Sequence, residues 1–231
     1  MLQLPEPFEQ RGDHIAIELP GATALFTTRR GGCSQGPYAS LNLGRKTDDR
    51  PEAVAANRKA LEQQLGLQLS FMRQVHGNRV VTITEPGQEL PEADGQATTR
   101  RGVGLVALAA DCLPIAVAGE GAVAIVHAGW RGLAAGVIDA AVEVVRGPVH
   151  AAIGPGAGPC CYEVGEDVRA RFRTDGPTLD LKAIARAQLD QAGVEAVHDV
   201  GLCTMCAPEL FFSHRRDRGV TGRQAGIAWL N

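Results

Sequence analysis

The sequence predicts a single α/β domain, and three observations support this. Short apolar runs of strand-like composition alternate with segments whose apolar residues recur at helical spacing. The chain has 231 residues, of which 45% are hydrophobic, so it can bury a substantial core. No internal repeat, low-complexity tract or Pro/Ser-rich linker divides it. We therefore expect one domain over residues 1–231.

The first predicted helix follows residue 49. Asp49 and Glu52 have the spacing of a capping box, and the helical pattern after them stops at Gly66. The composition then changes to β-type residues over 71–84, interrupted by a turn at His76. We expect His76 to lie between two strands.

Three buried strands are predicted over residues 103–109, 115–118 and 123–126. Each apolar run is too short for a helix and is bounded by a turn that contains Gly or Pro. Cys112 and His127 follow directly on such runs, so we expect both at strand ends.

An Ala- and Val-rich helix is predicted after Gly129, ending near Arg146. Arg131 lies at its start, where a guanidinium and free backbone amides can hold a phosphate or a carboxylate. A surface ion pair is the alternative role for Arg131. The remaining predicted elements are strands at 151–154, 196–200 and 226–230 and helices at 164–172 and 181–191.

Composition favours small-molecule partners. The net charge of −3 and the isoelectric point near 6.1 predict no basic surface for nucleic acid. Residues 1–6 lack the features of a secretory signal, and Asp111, Pro114 and Glu120 would make a membrane span over 103–128 costly. We expect a cytoplasmic protein with reduced cysteines that does not bind membranes; its oligomeric state is not predicted.

Three residues form a candidate metal site: His76, Cys112 and His127. Zinc accepts imidazole nitrogen and thiolate sulfur, and a catalytic zinc has three protein ligands and one open position. Their spacing is not diagnostic, because the three come from separate elements. A buried thiol beside two hydrogen-bonded histidines is the alternative.

The other paired cysteines are predicted to be structural. Cys203 and Cys206 form a Cys-x-x-Cys motif, but a second such motif, which would complete a four-thiolate site, is absent from the sequence. Cys160 and Cys161 are adjacent, and neighbouring side chains of an extended chain point to opposite faces. We expect packed thiols at both places.

Seven motifs, in order and with ordinary spacing, resemble those of the YfiH-like family. Members of this family have been described as polyphenol oxidases or multicopper laccases, and as purine nucleoside phosphorylases and peptidoglycan editing factors. The motifs are TRRGG at 28–32, LNLG at 41–44, QVHG at 74–77, ADCLP at 110–114, HAGWRG at 127–132, CCYEV at 160–164 and FSHR at 212–215.

The resemblance implies a fold, a cofactor and an activity. The fold is a single α/β domain, a layered α-β-β-α sandwich related to cysteine-hydrolase-like toxin domains. The implied zinc ligands are His76, Cys112 and His127. The implied reactions are phosphorolysis of adenosine, inosine, guanosine and methylthioadenosine to base and pentose 1-phosphate, and hydrolytic deamination of adenosine. Purine nucleosides and phosphate are the implied partners.

Further roles follow from the same resemblance. Arg131 or the helix amides would hold phosphate, and Asn42 and Gln74 are candidates for hydrogen bonds to ribose or base. The segment at 92–96 departs from the usual family form, which affects the expected substrate preference. The laccase description fits poorly, since none of the six histidines belongs to a His-x-His pair of the kind multicopper oxidases use.

Two other functions remain open. In the first, the protein is an amide hydrolase that edits peptidoglycan precursors such as UDP-MurNAc-amino acids, with Cys112 as nucleophile and His127 as base. In the second, it is a non-catalytic module that binds a nucleotide or a partner. Metal dependence separates the hydrolase from the phosphorylase, and the absence of turnover would indicate a binding module.

Overall fold

The computed structural model describes residues 3–85 and 91–231. The prediction that residues 1–6 form no secretory signal includes Met1 and Leu2, which lie outside the described residues. The described strands are β1 Glu9–Arg11, β2 His14–Leu19, β3 Ala22–Phe26, β4 Gln68–Ser70, β5 Val80–Thr82, β6 Gly95–Thr98, β7 Val103–Ala109, β8 Leu113–Gly119, β9 Ala122–Ala128, β10 His150–Ile153, β11 Ala196–Asp199 and β12 Gln224–Leu230. The described α-helices are α1 Pro51–Leu65, α2 Trp130–Ala135, α3 Val137–Val145, α4 Glu166–Phe172 and α5 Leu181–Gln191.

The strands form two mixed sheets of six strands each. The first has the order β1-β2-β3-β12-β7-β4 and the second β11-β10-β8-β9-β6-β5. The pairs β4·β7, β5·β6 and β10·β11 are parallel, and the other pairs are antiparallel. The chain passes from the first sheet to the second between β4 and β5, and again between β7 and β8.

Three apolar clusters separate four layers. One lies between α1 and the first sheet and includes Leu61 and Ile227. A second lies between the two sheets and includes Phe26 and Ile125. The third lies between the second sheet and the other helices and includes Ile138. The predicted α-β-β-α sandwich is therefore confirmed.

The sandwich explains why the central strands are apolar on both faces. All seven residues of β8 and all seven of β9 are buried, because one face meets the other sheet and the opposite face meets helices. This removes the alternation seen in half-exposed strands. Among residues 3–85 and 91–231, none of the helices has the length and apolar content needed to cross a membrane.

The predicted start of α1 is wrong in its detail. Arg50 is the N-cap residue, and Pro51 at the first helical position supplies a fixed φ. The Asp49 carboxylate instead accepts hydrogen bonds from Asn42 Nδ2 and from the Arg50 amide. The end of the helix is as predicted, since Gly66 adopts φ +66° as the C-cap residue.

The predicted helix after Gly129 is two helices. Gly136 has φ +84°, which ends α2 and caps the start of α3. The sequence pattern is apolar on both sides of Gly136, so periodicity alone does not show this break.

Close packing between the sheets makes Gly154 a sensitive position. A Cβ atom there would overlap the Phe26 ring and lie 2.9 Å from Pro114 Cγ, and Phe26 is fully buried. We expect Gly154→Ala to lower the free energy of unfolding by about 1–3 kcal/mol through overpacking. Urea unfolding measures this. Gly176→Ala is the matched control, since a Cβ at Gly176 would have no described atom within 4 Å; equal effects of the two changes would contradict the packing argument.

Candidate active site

The candidate site lies where two segments that cross from the first sheet to the second, β4 to β5 and β7 to β8, meet the end of β9. His76 lies in the crossing from β4 to β5, and Cys112 directly precedes β8 in the crossing from β7. In the antiparallel register of β8 and β9, Pro114 is opposite His127. This register places Cys112 beside His127 and Gly129.

The structure brings the three predicted metal ligands together. One ring nitrogen from each of His76 and His127 and the Cys112 sulfur lie within 4.8 Å of one another. The two imidazole rings are 4.8 Å apart between centroids and are inclined at 77°. A Cβ atom at Gly129 would lie 2.8 Å from the Cys112 sulfur, so any larger residue there would enter the site. Two nitrogens and one sulfur with open space beside them fit zinc with one free coordination position.

Asp94 organises two of the three candidate ligands. His127 Nδ1 donates to Asp94 Oδ1 at 2.9 Å. The backbone amides of Val75, His76 and Gly77 donate to the same carboxylate at 3.1, 2.9 and 2.6 Å. Burial raises the pKa of Asp94, but these donors outweigh it and lower that pKa below its ordinary value. With its Nδ1 proton held by Asp94, His127 presents Nε2 to the site, as metal-ligating histidines usually do.

Two residues of the site have left-handed backbones. His76 has φ +62° and Asp111 has φ +96°. The buried Asp111 carboxylate accepts hydrogen bonds from Thr204 Oγ1 and from the Arg215 amide, both at 2.7 Å. These bonds hold the turn that presents Cys112. Residues other than Gly are uncommon in this region and cluster at functional sites when they occur.

Cys112 and His127 form an ion pair in the metal-free protein. Burial opposes the charge on both, but their mutual attraction and hydrogen bond outweigh it. The pKa of the Cys112 thiol is lowered to about 6, and the pKa of His127 is raised to about 9, with a contribution from Asp94. Between these values the pair is thiolate and imidazolium.

Metal-free Cys112 should therefore react with iodoacetamide at a pH well below that at which an ordinary thiol reacts. The thiolate is the reactive form, so we expect alkylation of Cys112 to rise with pH through a midpoint near 6, against about 8.5 for an ordinary cysteine. Peptide mapping by mass spectrometry measures the rate at this residue. His127→Ala should move the midpoint upward. A midpoint above 8 in the unaltered protein would contradict the ion pair.

A cavity of about 490 Å³ opens in front of the three ligands. This size suits a nucleoside-sized molecule. Its wall is strongly cationic although the chain as a whole has a net charge of −3. The cationic residues that line it are Arg45, Lys46, Arg58, Arg73, Arg131, Arg215 and Arg223.

Several of these cations have no carboxylate partner, although Arg58 and Arg223 donate hydrogen bonds to backbone carbonyls. Within the described residues, Arg58, Arg131 and Arg223 form no ion pair with a carboxylate. Arg58 is buried, its guanidinium lies over the Phe71 ring at 3.6 Å, and burial lowers its pKa to about 9. Unneutralised cations in a concave wall favour a bound anion.

The other predicted site residues differ in position. Arg131 lines the cavity, with its guanidinium 4.4 Å from the centre of the Trp130 ring. Gln74 also lines it, but both polar atoms of its amide bond the backbone of Leu108, at 2.8 and 2.9 Å. Asn42 is fully buried behind the cavity wall, where Asn42 Oδ1 accepts from the Arg223 amide at 2.9 Å. Asn42 therefore supports Arg223 in this structure.

Asp94 and five of the six arginines that line the cavity were not predicted from the sequence as site residues. Asp94 lies in the atypical segment at 92–96, which is the one signal that could have drawn attention to it. Arg58, Arg215 and Arg223 come from α1 and from the segment before β12, and only tertiary packing brings them to the cavity.

Comparison with known proteins agrees with the fold and the motifs. The family model described as multi-copper polyphenol oxidoreductase laccase matches residues 23–231. A purine nucleoside phosphorylase of Xylella fastidiosa is 42% identical, over 91% of this chain and 93% of the relative. A purine nucleoside phosphorylase of Pseudomonas aeruginosa is 40% identical, over 90% of this chain and 93% of the relative. The crystal structure of YfiH from Bacillus licheniformis superposes with a TM-score of 0.91 at 32% identity, over 98% of this chain and all of that one. The chain therefore belongs to the family described as multi-copper polyphenol oxidoreductase laccase, which is the YfiH-like family that its motifs resemble.

Proposed function

We propose that this protein is a zinc-dependent purine nucleoside phosphorylase that also deaminates adenosine. The observation that carries the proposal is one cavity that combines the His76, Cys112 and His127 cluster with a cationic wall. Curated relatives named purine nucleoside phosphorylase support the same reaction class. The proposed substrates are adenosine, inosine, guanosine and methylthioadenosine, with phosphate as the second substrate.

The donor set fits the proposed ion. His76, Cys112 and His127 would hold zinc, and Asp94 would orient His127 from behind. When bound, zinc would act as a Lewis acid and acidify a water molecule, which is the chemistry that deamination requires.

The cavity residues account for the needs of phosphorolysis. A phosphate oxygen forms a bond to the anomeric carbon while the glycosidic C–N bond breaks, and the electron pair of that bond leaves with the purine. Arg131, Arg215 and Arg223 would hold the phosphate and offset its charge during this attack. Phe71 and Tyr162 supply apolar surface for the purine in the same cavity.

We expect Arg131 to contribute to the binding of phosphate. Since Arg131 lines the cavity without an ion-pair partner among the described residues, Arg131→Gln should raise the KM for phosphate about 10- to 100-fold. Initial rates at varied phosphate and at varied adenosine measure the two KM values separately. Arg101→Gln, at an exposed residue outside the cavity, is the control. An equal rise in both KM values would contradict a phosphate-specific role.

Product analysis tests the function. Metal-quantified protein is incubated with adenosine, with and without phosphate, and the products are identified chromatographically. We expect adenine and ribose 1-phosphate only when phosphate is present, together with inosine under both conditions. Absence of turnover by zinc-loaded protein would reject the proposal.

The metal-free geometry favours an amide hydrolase as the second candidate. The thiolate of Cys112, the imidazolium of His127 and the carboxylate of Asp94 form a chain of the kind found in cysteine hydrolases. The proposed substrates in that case are UDP-MurNAc-amino acids. Hydrolysis of such a compound by fully chelated protein would favour the thiol mechanism, and loss of hydrolysis on chelation would reject it.

A further inference from the structure

Four cysteines converge at the surface, apart from the ligand cluster in the cavity. The sulfurs of Cys160, Cys161, Cys203 and Cys206 all lie within 4.8 Å of one another. Cys206 is 3.5 Å from Cys160 and 3.3 Å from Cys161, between sulfur atoms. Cys160 and Cys161 are 3.6 Å apart.

The expectation that the adjacent cysteines point apart is wrong, because they do not lie in extended chain. They lie in a turn in which the Cys161 and Tyr162 amides both donate to the Gly158 carbonyl. A turn can present both side chains on one side. Gly158 faces this cluster closely, since a Cβ atom there would lie 3.3 Å from the Cys160 sulfur.

Parallel pairing of β10 and β11 brings the two cysteine pairs together. Both strands end at the same edge of the second sheet, and the segments after them stay in register. Gly156 and Cys203 form an isolated parallel β-bridge, and the Thr204 amide donates to the Gly156 carbonyl at 3.0 Å. The second half of a four-thiolate set is thus supplied by a Cys-Cys pair, which a search for a second Cys-x-x-Cys motif does not find.

The separations match a tetrahedral metal site. A zinc–sulfur bond of about 2.3 Å implies sulfurs about 3.8 Å apart around one ion. The sulfurs of Cys160, Cys161 and Cys206 are 3.3–3.6 Å apart, close to this spacing and longer than the roughly 2.05 Å of a disulfide bond, and the Cys203 sulfur lies within 4.8 Å of each of them. Four protein thiolates leave no open position, which is the arrangement of a structural zinc site.

The backbone around Cys203 favours a thiolate. Its sulfur accepts the Gly158 amide at 3.2 Å and faces the amides of Met205 and Cys206. Burial raises the pKa of Cys203, but these amides outweigh it and lower that pKa to about 7. The pKa of Cys160 is raised, chiefly by its hydrogen bond to Cys206. Metal binding would displace the remaining thiol protons into solvent.

We propose that Cys160, Cys161, Cys203 and Cys206 bind one zinc ion as a closed structural site, separate from the ion in the cavity. The site would fix one wall of the cavity. Thr204, between the two cysteines of the Cys-x-x-Cys motif, donates to Asp111, which precedes Cys112. Tyr162, which follows Cys161, lines the cavity itself.

Metal counting on the full chain tests this proposal. Protein prepared with reductant and excess zinc, then desalted, is analysed by inductively coupled plasma mass spectrometry. We expect two ions per chain in the unaltered protein. Cys112→Ala and the double change Cys160→Ser with Cys206→Ser should each leave one ion. Cys33→Ser, at an exposed cysteine outside both clusters, should retain two.

Cobalt substitution provides a readout that does not depend on folding of the cluster variants. Because Cys112→Ala keeps the four surface cysteines, its cobalt form should show intense sulfur-to-cobalt charge-transfer absorption and the visible bands of a tetrahedral ion. A metal content that the double change Cys160→Ser with Cys206→Ser does not lower, or a cobalt form of Cys112→Ala without these bands, would overturn the proposal. Alkylation under denaturing conditions gives a further test. If it modifies Cys160, Cys161, Cys203 and Cys206 only after a reductant is added, the cluster consists of disulfides and the proposal is overturned.

Discussion

Replacing Cys112 by alanine is expected to reduce kcat/KM for adenosine phosphorolysis by about 1,000-fold or more. The change removes one of the three proposed ligands from a cluster whose donor atoms lie within 4.8 Å of one another. Loss of a Lewis acid removes several kcal/mol of transition-state stabilisation, and about 4 kcal/mol corresponds to that factor. It also leaves His127 without its thiolate partner, so the raised pKa of His127 should fall. Initial rates and metal content of the same preparation measure both consequences.

Cys112→Asp separates the two roles that Cys112 can have. A carboxylate can ligate zinc but cannot replace a thiolate nucleophile. If Cys112 is a metal ligand, Cys112→Asp should retain metal and more activity than Cys112→Ala. If Cys112 is the nucleophile of an amide hydrolase, both variants should be equally inactive. Full activity of Cys112→Ala with full metal content would reject the site assignment.

Elements that depend on local pattern were predicted well from the sequence. The strand at 103–109 and the helix at 181–191 have the predicted bounds, and α1 ends at Gly66 as expected. In each case the signal is a run of apolar residues, or a glycine, within the element itself. Where the outcome depends on a competing contact, prediction failed: the Asp49 carboxylate bonds Asn42 and the Arg50 amide, and Arg50 is the N-cap residue of α1.

Two site features could not be predicted, because they depend on pairing between distant segments. Asp94 reaches His127 only because β6 pairs with β9 in the second sheet. Cys160 meets Cys203 only because β10 and β11 are parallel neighbours. That His76, Cys112 and His127 are candidate metal ligands could be predicted, because each has a metal-binding side chain and lies near a strand end, whereas a lone aspartate or a cysteine pair gains its meaning from its spatial partners.

Asp94→Asn should weaken metal binding about 10- to 100-fold, although Asp94 is not a ligand. Each carboxylate oxygen accepts two hydrogen bonds: Oδ1 from His76 N and His127 Nδ1, and Oδ2 from Val75 N and Gly77 N. Asparagine replaces one of these oxygens by an NH₂ group, which then faces two donors. The imidazole of His127 would lose its charged partner, and loss of such partners typically costs this factor in metal affinity. Competition with a chromophoric chelator measures the affinity.

Asp180→Asn is the matched control for the same atom exchange. Asp180 caps α5 by accepting the amides of Lys182 and Ala183, both through Oδ1, so asparagine can keep both bonds with its single oxygen. We expect unchanged metal affinity and nearly unchanged stability there. Asp94→Asn should in addition lower the free energy of unfolding of the metal-free protein by about 1–3 kcal/mol, because two of the four donors lose their acceptor. A loss of stability with unchanged metal affinity would mean that Asp94 only builds the loop of His76. A loss of affinity in the folded variant would mean that it also sets the orientation of His127.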